Sequence, residues 1–192
     1  MGDEGYEREA KLNQLYLAII SRYKEYIEEK ESIAVAELPT LVSPKNPLVV
    51  AKANEIKSSF GTYNYSARFN DAGRIAFDFV RTRVGEVTLP LQFWISPEET
   101  LRFMMGDVMD KNILLCSLLI ALGNPSAKVL VTIRDSSLKA VTYYELNGKA
   151  YAMDLSSGIK EYQGNDAFVA TLGIDDETTA YEFNDQMYRD IS

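Results

Sequence analysis

Asp107-Val-Met-Asp-Lys-Asn-Ile-Leu-Leu-Cys-Ser-Leu-Leu-Ile-Ala-Leu-Gly123 is the most apolar run of the chain. Between Ile113 and Leu122 only Ser117 is polar. A helix that is apolar on every side must be covered on every side, so this segment reads as the buried centre of a domain. Gly123 ends it as a glycine cap, and Pro125 prevents resumption. Asp107 and Asp110 flank its start, where the positive end of the helix dipole favours carboxylates. Capping is the preferred reading over a cation site, because calcium needs about six to eight oxygens and no Asp-x-Asp-x-Asp-Gly loop is present.

Downstream of Gly123 the apolar period changes from helical to two. Lys128 to Ile133 reads as a strand, Asp135-Ser-Ser137 as a turn, and Lys139 to Leu146 as a second strand. Asn147-Gly148 is the favoured hairpin turn, and Lys149 to Leu155 is a third strand before a Ser156-Ser157-Gly158 turn. The tail from Asn165 to Ser192 reads as further strand or coil, with Asp175-Asp176-Glu177 as a solvated loop. Upstream the pattern is helical. Leu12, Leu15, Tyr16, Ile19, Tyr23 and Ile27 mark one helix over 6–31. A link over 32–45 precedes a helix from Asn46-Pro47 to about Phe60, and Asp71 is positioned to cap a third that ends near Val84-Gly85. Ser96-Pro97-Glu98-Glu99 has the form of a capping box opening a short helix to about Met104. Helices first and antiparallel hairpins second describe an α+β domain, its sheet packed on the buried helix. Residues 1–62 read as a helical extension packed on that core, and 63–192 as the α+β domain proper.

Composition narrows the chemistry. The 192 residues are 46% hydrophobic and carry a net charge of -8, so the summed field repels phosphate backbones and anionic membranes. Nucleic acid is not an expected partner. With zero histidines, the usual general base and the commonest metal ligand are both missing. The single Cys116 forms no internal disulfide and lies in the apolar run, where core packing is the expected role. No apolar stretch has the roughly 20 residues that a spanning helix needs. The acidic start Met1 to Gly5 has no signal-peptide character, so the expectation is a cytoplasmic protein without membrane insertion.

Four segments in order resemble the transglutaminase-like family: Trp94-Ile-Ser-Pro-Glu-Glu-Thr-Leu101, Gly106-Asp-Val-Met-Asp-Lys111, Leu114 to Gly123, and the hairpin ending Asn147-Gly-Lys-Ala-Tyr-Ala-Met-Asp154. The resemblance covers about Asp71 to Ser157 and implies a papain-like α+β fold. Active members carry Gly-x-Cys-x-Asp at the start of the buried helix, a histidine on the second segment of the sheet and an aspartate ending the next strand. The thiolate attacks an amide carbonyl, the histidine moves the proton and the aspartate orients the histidine. Matched residue by residue, Gly106 and Asp110 are present, but Val108 stands at the cysteine position. Val141, or its neighbour Ala140 or Thr142, stands at the histidine position, and only Asp154 keeps its identity. Cys116 lies two turns further along and does not replace the nucleophile. The resemblance therefore implies a catalytically degenerate member in which Val108 and Val141 touch, the former site has become core, and Asp154 bonds an amide or hydroxyl.

Trp94, Tyr143 and Tyr144 are candidates for an aromatic peptide-binding surface, although strand alternation sends one of the two tyrosines into the core. The first helix is expected to dock on its own domain. No cofactor and no metal are implied. Two functions from different classes remain open: a non-catalytic module that binds a protein or peptide, and an amide hydrolase or acyl transferase using unconventional residues such as carboxylates.

Overall fold

The structure is a computed structural model that describes residues 3–31, 35–88, 94–135 and 137–191. Residues 32–34 of the expected link and Ser136 of the expected turn lie outside the described residues, as do Met1 and Gly2 of the acidic start. The chain divides into two units. In the first, α1 (Asp3–Arg22) and α2 (Lys24–Glu31) replace the single helix expected over 6–31, with Tyr23 between them.

The second unit begins with a 3-10 turn (Val35–Leu41) and α3 (Pro47–Ser58). Proline opens α3 and the Asn46 side chain accepts from the Leu48 amide, as the sequence predicts. Helix α4 (Tyr65–Arg83) starts six residues before Asp71. Asn64 caps it, accepting from the Ala67 amide, whereas Asp71 lies on its surface beside Arg68. Strand β1 (Gly85–Glu86) precedes α5 (Pro97–Phe103), whose Ser96–Glu99 capping box is complete. Met104 then turns with φ 53° and leads into β2 (Met105–Gly106), which pairs in parallel with β1.

Helix α6 (Val108–Ala121) is enclosed as predicted. Every residue from Met109 to Leu119 is buried, between α3 and α4 on one side and the sheet on the other. Its few polar groups are satisfied. Ser117 donates to the Ile113 carbonyl and accepts from the Ser43 amide. Near its end, Lys57 Nζ and Tyr63 Oη donate to the carbonyls of Ala121 and Leu122.

Strands β3 (Lys128–Arg134), β4 (Ser137–Leu146) and β5 (Lys149–Asp154) form the expected meander, with Asn147 and Gly148 both at positive φ between the last two. The remainder exceeds the sequence reading. A further strand, β6 (Gly158–Tyr162), extends this meander, α7 (Asn165–Ala170) follows, and the tail supplies β7 (Thr179–Phe183) and β8 (Tyr188–Asp190). The antiparallel sheet runs β6-β5-β4-β3-β7-β8, so the tail joins at β3. Its inner face packs on α6 through Val129, Val131, Ala140, Tyr144 and Met153. A second, smaller core of Leu130, Tyr143, Ala150, Ala152 and Phe168 lies on the outer face, under α7. The domain is thus α+β with its central helix buried, and among the described residues no helix is long and apolar enough to cross a membrane.

Candidate functional site

The first turn of α6 is built by a reciprocal bond. Asp107 Oδ1 accepts from the Asp110 amide at 2.8 Å, and Asp110 Oδ2 accepts from the Asp107 amide at 2.9 Å. Asp110 Oδ1 also accepts from the Ile95 amide at 3.0 Å, tying the Trp94 segment to the helix. Gly106 is explained by the same turn, because a Cβ there would lie 2.8 Å from the Asp110 Cβ. Burial pushes the Asp110 carboxyl up to about 7 against the backbone hydrogen bond from Asp107, with the Asp107 charge adding to the rise. Among the described residues no group of three or more His, Cys, Asp or Glu is placed to hold a metal.

Val108, the first residue of α6, is 38% exposed. Val141 lies elsewhere. Its neighbours Ala140 and Thr142 face α6, since Thr142 Oγ1 is 2.9 Å from Asn112 Oδ1 and Ala140 belongs to the inner core. Strand alternation therefore sends Val141 to the outer face, where it packs with the smaller core. The contact expected between Val108 and Val141 does not form, and Val108 itself has not become core, although the residues that follow it are buried. The inner-face residues beside Val141 are Ala140, which has no proton to move, and Thr142, whose hydroxyl is held by Asn112.

Asp154 accompanies Val141 on the outer face. Its Oδ1 accepts from the Ser156 amide and hydroxyl at 2.7 and 2.6 Å and from the Ser157 amide at 3.2 Å; Oδ2 accepts from the Ser157 hydroxyl at 2.8 Å. Partial burial acts to raise its pKa, but the hydrogen bonds from both serines prevail and hold the carboxyl below its ordinary range. The carboxylate closes its own turn. Cys116 is fully buried, and desolvation followed by the Asp185 charge pushes its thiol well up.

The aromatic surface expected at Trp94, Tyr143 and Tyr144 is also corrected. Tyr144 is buried on the inner face, edge-on to Phe69, with its hydroxyl donating to Asn70. Tyr143 is buried on the outer face beside Phe168, because α7 covers a side that the alternation left open to solvent. Its hydroxyl donates to the buried Glu182, which also pairs with Lys128 at 3.0 Å and Arg189 at 2.8 Å. Trp94 is half-buried against the main core.

What the sequence reading missed is a groove of about 650 Å³ on the outer face of the sheet. Leu130, Val141 and Ala152 form its apolar floor, with Tyr162, Phe168 and Leu172 beside them. Lys139 and Lys160 stand on it, both exposed, and Arg134 lies at one end in ion pairs with Asp175 and Glu177. The signal was present in the outer-facing positions of the sheet, where Leu130, Val141, Ala150 and Ala152 are apolar and Lys139 is charged. It could be read only once the covering of that face by α7 was known.

No family profile and no curated protein matches the sequence. Distantly similar solved structures include a protein from Parabacteroides distasonis assigned as a protease, at 16% identity and TM-score 0.47 over 68% of this chain and 31% of that one. Legionella pneumophila LapG is similar at 17% identity and TM-score 0.45, over 72% of this chain and 86% of its own. A protein from Cytophaga hutchinsonii assigned as a cysteine protease is similar at 14% identity and TM-score 0.46, over 86% of this chain and 58% of that one. This chain thus spans under a third of the Parabacteroides protein. The likeness is a distant one of fold, and no activity is carried over from it.

Proposed function

We propose that this domain is a catalytically degenerate relative of the transglutaminase-like group that acts by binding a protein or peptide. The observation that supports the reading is helix α6, whose first residue, matched by the resemblance to the nucleophile, is Val108, and whose thiol, Cys116, is sealed in the core. Without a histidine in the chain there is no imidazole to take a proton from any substituted nucleophile. Catalysis by carboxylates is not favoured either. Asp110 is fully buried with both oxygens bonded to amides, and Asp154 is bound by its serines on the other side of the sheet.

The test pairs two assays on the wild-type protein. Peptides selected from a displayed library are measured for binding, and amide hydrolysis and acyl transfer are followed on the same peptides. Binding without turnover is the expected result. Turnover by the wild-type protein overturns the reading, and so does a selection from which no peptide binds.

A further inference from the structure

We infer that the outer groove of the sheet binds an extended acidic peptide segment of about five residues, apolar in its middle and carrying a carboxylate towards each end. This rests on the binding reading above and gives it a place and a chemistry.

Charge is the first argument. The chain carries eight more acids than bases, yet Lys139 and Lys160 on the groove are in no ion pair among the described residues. The third basic side chain of the groove, Arg134, is engaged by Asp175 and Glu177. Asp135 and Asp154 also line the groove, but neither forms an ion pair with these lysines, so two ammonium groups beside an apolar floor stay open to an anion with an apolar body.

Spacing is the second. Lys160 pairs with Ala152, and Ala152 pairs with Tyr143. Lys139 stands four residues before Tyr143 on β4. Two strand spacings across the sheet and four residues along it put the two lysine Cα atoms on the order of 16 Å apart. One small anion does not serve both. An extended chain rises about 3.3 Å per residue, so about five residues cover the diagonal.

The middle of the groove fits the same ligand. Val141 and Ala152 flank the line between the lysines and, with Leu130 beside Val141 on β3, take an apolar side chain. Asp154 stands there too, and its charge repels any acid placed beside it, so the centre of the segment must be uncharged. Its Oδ2 receives only the Ser157 hydroxyl and has room for one amide N–H from the segment.

The experiment measures fluorescence anisotropy of the full chain with a labelled peptide that has glutamate at both ends and valine, leucine and valine between. A second probe carries lysine at both ends. The glutamate peptide is expected to bind, the lysine peptide is not, and binding should weaken several-fold between low and high salt. Lys139→Glu with Lys160→Glu should lower affinity at least about tenfold, while Lys45→Glu, on an exposed turn, changes it less than about twofold. Circular dichroism checks that the charge-reversed protein is folded, and the Lys139→Gln/Lys160→Gln pair gives the same test without reversal. Equal binding of both peptides, binding indifferent to the groove lysines, or full competition by millimolar succinate overturns the assignment while leaving the binding reading intact. Self-association of the chain through these lysines, seen by sedimentation, would make a second copy the occupant and likewise overturns it. Cleavage of the glutamate peptide, read by mass spectrometry on the same samples, sinks the non-catalytic reading instead.

Discussion

Thr142 and Asn112 join the sheet to the central helix inside the core. Thr142 Oγ1 lies 2.9 Å from Asn112 Oδ1 and 3.0 Å from its carbonyl oxygen, and Asn112 Nδ2 donates to the carbonyls of Val108 and Ala140 at 2.8 and 3.3 Å. Both residues are fully buried. Asn112→Leu removes the amide donor to the Val108 and Ala140 carbonyls and leaves the Thr142 hydroxyl only the main-chain carbonyl of residue 112. A loss of about 2 kcal/mol is expected in urea unfolding. The double variant Asn112→Leu/Thr142→Val should lose less than the sum of the singles, because each single already breaks the Thr142–Asn112 side-chain bond that the two share.

Asp110 gives stability a dependence on pH. Its carboxyl, pushed up to about 7 in the folded protein, sits above the ordinary value of 3.8. Between those values the folded state holds a proton that the unfolded state has released, so stability falls as pH rises from about 4 to 7 and is level above. The decline should amount to roughly 2–4 kcal/mol. Asp110→Asn should flatten it, as checked by denaturation at several pH values, while weakening the first turn because an amide cannot accept from both Ile95 and Asp107.

Positions 108 and 116 of α6 should behave oppositely towards thiol reagents. Cys116 in the folded protein should resist a disulfide reagent for as long as the domain stays closed and react at once in denaturant. Val108→Cys should add a thiol that labels readily, since that position is 38% exposed. It should react no faster than an ordinary surface thiol, with no imidazole to lower its pKa. Labelling kinetics followed by absorbance decide both.

Glu182 is buried with Lys128, Arg189 and Tyr143 around it. Replacing it with glutamine leaves the Lys128 ammonium, 14% exposed, without its counter-charge. Removing one partner of a buried pair costs roughly 3 kcal/mol or more, so Glu182→Gln should unfold at clearly lower urea concentration than wild type. Arg189→Gln, at a half-exposed partner, should cost much less.

Local signals in the sequence were legible where one residue type has one physical use. The box at Ser96 and Glu99, the proline opening α3 and the Asn147-Gly148 turn are of that kind. The start of α4 was not, because Asn64 and Asp71 are both competent caps and only the path of the chain before Tyr65 selects between them. Val141 shows a sharper limit. A strand repeats every two residues, so an uncertainty of one position in a distant resemblance moves a side chain from the helix side of the sheet to the far side. Tyr143 was misread for want of α7, a helix of six residues whose short apolar pattern does not announce it in the sequence. The groove depends on that same helix and was hidden with it.

The placement of β7 beside β3 makes the order of synthesis an order of exposure. Strand β3 pairs at once with β4, but its other edge waits while two further hairpins and α7 are made. During that interval Val129, Val131 and Ile133 line an open edge with unpaired amides, a template for a neighbouring chain. A nascent chain halted before Thr179 would therefore be a sticky one, and the acidic stretch at Asp175-Asp176-Glu177, just ahead of β7, places like-charge repulsion where that hazard is about to be closed.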